Sequence, residues 1–256
     1  MQAKKKFGQN FISDLNLINK IVNGAKIEGK NVVEVGPGRG ALTKVISQTA
    51  HKVIAYEIDQ DLKQYLDPLS DQFPNLEITY EDFLKTNLKT DETWELIGNL
   101  PYYITTPILF KFLEEPQYNS ATIMVQKEVG DRILSSPNSK KYNALSVIVQ
   151  YLTNVEKIVN VSRKMFYPVP NVDSIVIRLE KKENRKIHQT NEVDFFNFVK
   201  ASFEQKRKTL VNNLSEHLDL SKQEIIALLK DNGFNDNVRA EQLSIEEFVK
   251  LFGVFK

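Results

Sequence analysis

The chain contains no cysteine. Disulfides, thiolate zinc sites and thiol nucleophiles are therefore excluded, and a reducing cytoplasm is the compartment that suits it. Long apolar runs are missing as well: the longest mainly apolar stretch, Ala144 to Leu152, is far too short to span a bilayer. Met1-Gln2-Ala3-Lys4-Lys5-Lys6-Phe7 leads into polar residues, not into the apolar core of a signal peptide, so a cytoplasmic protein with no membrane partner is expected. Histidine is scarce, and His51, His188 and His217 stand apart in the chain, so no metal is assigned. There is no internal repeat and no low-complexity segment.

What remains is enough for one large core with a small appendage: 256 residues, 41% of them hydrophobic. The net charge of +1 conceals an uneven distribution. Glu57 to Glu95 carries eleven acids against three lysines, whereas residues 1–30 carry six lysines against Asp14 and Glu28. Lys200 to Asn212 carries four basic residues against Glu204. Such asymmetry fits a face for a polyanion, and equally an ordinary solvated surface.

Hydrophobic periodicity gives the elements. Leu15, Ile18, Ile21 and Val22 repeat with helical spacing behind a cap at Ser13 or Asp14. Then strands and helices alternate: Asn31 to Val35, a helix over Ala41 to Thr49, Lys52 to Glu57, a helix near Asp61 to Leu66, Leu76 to Tyr80, and Trp94 to Ile97. A helix over Pro107 to Glu114, a strand over Ala121 to Val125 and helical stretches at Val129 to Leu134 and Ala144 to Leu152 follow. This order predicts an α/β fold with a parallel, doubly wound sheet. Val155 to Val161 and Ser174 to Leu179 have no room for a crossover helix between them, so they are expected as an antiparallel pair on one edge of a mixed seven-stranded sheet. Residues 181–192 are charged and aperiodic and read as a linker. Residues 193–256 read as a small all-α domain, with a capping box at Ser244-Ile245-Glu246-Glu247.

Ligands of doubly wound sheets bind at the carboxyl ends of the strands. The first such end reads Glu34-Val35-Gly36-Pro37-Gly38-Arg39-Gly40, a GxGxG spacing distinct from the dinucleotide GxGxxG. With Pro37 inside it, the turn fits a ligand lacking a pyrophosphate, and S-adenosylmethionine is such a ligand. Glu57 ends the second strand, where an acid accepts hydrogen bonds from ribose hydroxyls. Asp82 follows the third, either as an acceptor for the amine of an adenine or as a turn cap. Asn99-Leu100-Pro101-Tyr102 ends the fourth. An amide oxygen and a carbonyl held by Pro101 can accept both N–H groups of a planar amine while Tyr102 stacks on its ring, and the same residues also suit a plain turn with a core aromatic.

Gly8-Gln9-Asn10-Phe11, Glu34-Val35-Gly36-Pro37-Gly38, Asn99-Leu100-Pro101-Tyr102, Gln126-Lys127-Glu128, Pro137-Asn138-Ser139-Lys140, Pro170-Asn171-Val172-Asp173-Ser174 and Gln205 to Leu210 together resemble the KsgA (RsmA) family of ribosomal RNA adenine dimethyltransferases. The resemblance implies a Rossmann-like class I methyltransferase domain over residues 1–180. It also implies S-adenosylmethionine as methyl donor, and dimethylation of two adjacent adenines in the 3′-terminal hairpin of 16S ribosomal RNA, on the small ribosomal subunit. A monomer is expected. Carried over by position, the cofactor contacts fall on Asn10, Ile12, Gly36, Gly38, Glu57, Asp82 and Asn99, and the target-base residues on Asn99, Leu100, Tyr102 and Phe166. Phe166 has this role only through the resemblance, since a Phe in its setting otherwise reads as core. Lys206, Arg207 and Lys208, together with Lys4, Lys5 and Lys6, are expected to contact RNA phosphate. Tyr103 departs from the family pattern, where other members carry Asn.

The sister Erm family, which methylates large-subunit RNA, shares nearly the same catalytic set. The segments Pro137 to Lys140 and Gln205 to Leu210 favour the small-subunit type. A binding factor for small-subunit assembly is a second alternative, and a dehydrogenase a third, disfavoured by the glycine spacing.

Overall fold

The computed structural model describes residues 9–255. A helix-capping aspartate opens the fold: Asp14 accepts from the Leu17 amide at 2.8 Å and starts α1 (Leu15–Ala25), whose face of Leu17, Ile18, Ile21, Val22 and Ala25 is buried. The alternation that follows is β2 (Asn31–Val35), α2 (Ala41–Thr49), β3 (Lys52–Tyr56), α3 (Lys63–Gln72), β4 (Leu76–Thr79), β5 (Trp94–Asn99), α4 (Thr105–Glu114), β6 (Tyr118–Gln126), α5 (Lys127–Ile133) and α6 (Ala144–Leu152). β7 (Thr153–Val161) and β9 (Ser174–Lys181) complete a seven-stranded sheet of order β4-β3-β2-β5-β6-β9-β7. The pairs β2–β3, β3–β4, β2–β5 and β5–β6 are parallel, and β9 runs antiparallel to β6. The sheet is thus mixed, as expected. β7 forms the edge beside β9. At the centre Val32 and Val33 are fully buried, as an apolar strand with neighbours on both sides must be.

Two features differ from the sequence expectation. The third helix runs on past Pro68 to Gln72, although proline disfavours a helix interior. Packing overrides it: the Leu66 side chain is fully buried, and Leu69 sits so close to Gly40 that a Cβ there would lie 2.2 Å from its Cδ1. The second feature is a ribbon that periodicity cannot reveal, because each strand has two residues. β1 (Phe11–Ile12) pairs antiparallel with β8 (Phe166–Tyr167), Phe11 opposite Tyr167 and Ile12 opposite Phe166.

The chain divides into two compact units. One holds the described residues up to Gly130 together with Val155–Lys181; the other holds Asp131–Asn154 and the described residues from Lys182 onward. The segment 131–154, expected within the first 180 residues, falls with the C-terminal helices, because the buried face of α6 packs on α7 (Glu192–Ser202). There Tyr151 meets Phe195 at 4.8 Å between ring centroids. The charged stretch 181–192 is anchored rather than loose: Lys182 donates its amide to Leu152, Ile187 donates to the Tyr151 hydroxyl, and Arg185 pairs with Glu192 at 3.0 Å. The helices α8 (Leu210–Leu214), α9 (Lys222–Asp231) and α10 (Ile245–Phe255) follow, and the capping box at Ser244 and Glu247 is formed. No helix among the described residues is long and apolar enough to cross a membrane.

Candidate active site

Four strands, β2 to β5, end side by side, and their carboxyl ends open on a cavity of about 360 Å³. The glycine turn after β2 forms its floor. Gly36 and Gly38 have φ of 72° and 60°, a left-handed backbone that other residues rarely adopt. A Cβ on Gly38 would also press against the Phe11 ring at 3.1 Å. Glycine here lets the backbone take this conformation and lets the β1 segment close over the turn, while the Gly36 amide is engaged on the Tyr56 carbonyl at 3.0 Å.

Glu57 ties two strand ends together. Its carboxylate accepts from the Gly38 amide at 3.2 Å and from the Asp59 amide at 2.9 Å. Burial raises its pKa above the ordinary carboxylate value, the charge of Asp59 adds to the rise, and the two backbone N–H groups oppose it. Asp59, itself buried, accepts from the Gln9 side chain at 2.7 Å and so fixes the start of the β1 segment. Asp82 caps the short 3-10 turn Phe83–Lys85 through the Leu84 amide at 3.0 Å, so the cap reading holds, and it lines the cavity as well. Glu34 lines the cavity too. It is 1% exposed, and burial above all, with the neighbouring Glu57 charge, pushes its carboxyl up to about 8.

Asn99 donates Nδ2 to the Asn10 carbonyl at 2.9 Å. A carbonyl only accepts, so this bond fixes which way the amide faces and leaves Oδ1 without a donor among the described residues. Leu100 is 2% exposed and fits only because residue 98 is glycine, where a Cβ would meet Leu100 Cδ2 at 2.5 Å and the Val35 carbonyl at 2.9 Å. The half-buried Tyr102 shares a hydrogen bond of 2.8 Å with the Ser174 hydroxyl on β9, which pins the ring, and burial raises its pKa.

Asn10, Ile12, Gly36, Gly38, Glu57, Asp82, Asn99, Leu100 and Tyr102 therefore line one cavity. Phe166 does not: it is 4% exposed, in the core with Ile12, and its neighbour Tyr167 lines the cavity instead. A two-residue strand turns the first side chain in and the second out, an alternation that shows only once the pairing with β1 is known. Lys206 donates to the Lys140 carbonyl, Lys208 pairs with Glu216 at 2.9 Å, and Arg207 is exposed. Lys4, Lys5 and Lys6 lie outside the described residues. No cluster of three or more metal-ligating side chains occurs among the described residues.

The model of the ribosomal RNA adenine dimethylase family matches residues 1–256. The chain is 54% identical to ribosomal RNA small subunit methyltransferase A of Onion yellows phytoplasma, over 97% of this chain and 94% of that one. It is 44% identical to the protein of that name from Bacillus thuringiensis, over 97% and 89%. Among solved structures, a dimethyladenosine transferase from Plasmodium falciparum superposes with a TM-score of 0.81 at 27% identity, covering 94% of this chain and 95% of that one. The 23S rRNA methyltransferase ErmE superposes with 0.78, also at 27% identity, over 96% and 99%. The whole-length family match and relatives of this similarity, on a sheet whose strand ends build one cavity, settle the assignment: the chain belongs to the ribosomal RNA adenine dimethylase family.

Proposed function

We propose that this S-adenosylmethionine-dependent methyltransferase acts on the N6 amines of two adjacent adenines in the 3′-terminal hairpin of small-subunit ribosomal RNA, as a cytoplasmic monomer. One observation carries the reading: Asn99 stands in the cavity with its amide orientation fixed and Oδ1 free to accept a hydrogen bond. The named relatives at 42–54% identity support the small subunit over the large.

S-adenosylmethionine, when bound, supplies an electrophilic methyl group on a sulfonium. The residues present fit it. The glycine turn leaves room at Gly36, where a Cβ would meet only the Asn99 carbonyl at 3.7 Å; Glu57 and Asp82 offer carboxylate oxygens at successive strand ends; Asn10 and Ile12 close the cavity from the β1 segment. Adenine's amine is a poor nucleophile because its lone pair is delocalised into the ring. Asn99 Oδ1 and a carbonyl near Leu100 accept its two N–H groups, which draws the nitrogen toward tetrahedral geometry and aims the lone pair. Tyr102 stacks on the ring and, held through Ser174, keeps it in that pose. Once alkylated the nitrogen is cationic and sheds its proton readily, so no strong base is needed. In the family pattern Phe166 is the second wall; here its ring is buried beside Ile12 in the ribbon that carries Tyr167.

The test is transfer of tritium from labelled S-adenosylmethionine to small subunits and, separately, to large subunits purified from a strain lacking the enzyme, followed by mapping of the modified bases. Transfer to two neighbouring adenines is expected, and Asn99→Ala should lower the single-turnover rate about 10²- to 10³-fold. Modification confined to the large subunit would overturn the proposal.

A further inference from the structure

Among the described residues only two Phe, Tyr or Trp side chains are exposed, Tyr103 at 61% and Tyr167 at 68%. Both line the active-site cavity. They reach it from separate elements: Tyr103 from the 3-10 turn Tyr102–Ile104 after β5, and Tyr167 from the ribbon strand β8. Of the six other exposed large apolar residues four belong with this pair, the exceptions being Leu15 on α1 and Val193 on α7. Ile58 also lines the cavity, and Met165, Val169 and Val172 lie on the segment around Tyr167. A soluble protein has no use for a bare aromatic pair in its own folding, and concentrated exposure of this kind marks a contact surface.

The chemistry of the pair narrows the partner. A tyrosine offers a flat π face with few rotatable bonds, and every nucleobase can stack on it regardless of identity. The backbone beneath each ring is fixed. Tyr167 stands opposite Phe11 in the β1–β8 pairing, and the turn under Tyr103 is closed by the Ile104 amide on the Pro101 carbonyl at 3.1 Å. Tyr102, one residue from Tyr103, faces the same cavity but is half-buried and tied to Ser174, so adjacent residues supply an inner and an outer ring.

We infer that Tyr103 and Tyr167 form an outer stacking platform for the unpaired RNA nucleotides next to the adenine held in the cavity. The inference rests on the proposed function and adds to it how the strand is held at the mouth. When one adenine of an adjacent pair occupies the cavity, its neighbour is tethered at the entrance. Stacking there offsets part of the cost of drawing the target base out of its own stack.

Steady-state methylation of unmodified small subunits tests this with Tyr103→Ala, Tyr167→Ala and the double variant, each beside its Phe counterpart. Both rings are exposed, so folding is not at issue. Each Ala variant is expected to raise KM for subunits about 5- to 100-fold, while KM for S-adenosylmethionine stays at the unsubstituted value and Phe restores KM for subunits. Unchanged KM for subunits in the double Ala variant would overturn this inference alone. So would a rise confined to KM for S-adenosylmethionine, which would make the pair a cover for the methyl donor. No transfer to small subunits by the unsubstituted enzyme would overturn the functional reading, and this inference with it.

Discussion

Glu34 sits two residues before the glycine turn, buried, with Oε2 unpartnered among the described residues. With its pKa pushed up to about 8 by burial, its carboxyl is largely protonated at neutral pH. The sign of the linkage follows. The folded state keeps a proton that the unfolded chain releases near 4.5, so the stabilisation is complete below that value and is lost as pH rises through 8. Glu57 is raised in the same direction, so Glu34→Gln removes part of the pH dependence and leaves the rest. Thermal unfolding of the enzyme without cofactor should fall from pH 5 to 8 with a slope of at most about 1.4 kcal/mol per pH unit from this group, and less steeply in the Gln variant. Parallel curves would refute the assignment. At this scale the sequence was readable where chemistry and position coincide. Glu57, Asp82 and Asn99 each stand at or just beyond a strand end, and three strand ends in register leave little freedom. Phe166 and Tyr167 were not separable, because which of two neighbouring aromatics faces the cavity depends on a partner strand more than 150 residues earlier in the chain.

At the scale of elements, α6 shows how local and tertiary signals divide. Its apolar run is plain in the sequence. Its allegiance is not, since an apolar helix names no partner. The structure starts it with a capping box in which Asn143 Oδ1 accepts from the Ser146 amide at 3.3 Å and Ser146 Oγ accepts from the Asn143 amide at 3.1 Å. Ser146 Oγ also donates to the Arg132 carbonyl at 2.6 Å, which ties the helix start to the end of α5. Asn143→Ala should therefore cost about 1 kcal/mol, within the usual 0.5–2 for a lost N-cap, seen as faster hydrogen exchange in α6. Because α6 belongs to the C-terminal unit and the cavity lies wholly in the other, affinity for S-adenosylmethionine should not change. A weakened cofactor affinity would show that the two units are energetically coupled. The edge strands follow the same logic. The sequence indicated that β7 and β9 are neighbours without a crossover, but not that β9 inserts between β6 and β7, because adjacency of the two does not say which of them meets β6.

At the scale of the whole molecule, charge separates what the site holds from what the protein grips. The acidic stretch from Glu57 to Glu95 includes strand ends that line the cavity, a poor surface for phosphate. We propose that phosphate contact falls instead to basic segments such as Lys206-Arg207-Lys208. Those three are not equivalent. Lys208 already pairs with Glu216, and Lys206 is committed to the Lys140 carbonyl, while Arg207 is exposed and has neither tie. An arginine also binds phosphate bidentately, so it has more to gain from RNA and less to give up. Each phosphate contact contributes roughly 0.7–0.9 to the slope of log affinity against log salt. Arg207→Gln should therefore lower that slope for small-subunit binding by about one contact, and Lys208→Gln by less, since Lys208 must first leave Glu216. Filter binding at several salt concentrations measures both, with S-adenosylmethionine affinity as the internal control. Equal slopes for the Arg207 variant and the unsubstituted enzyme would remove this segment from the RNA interface and assign the grip to other basic residues.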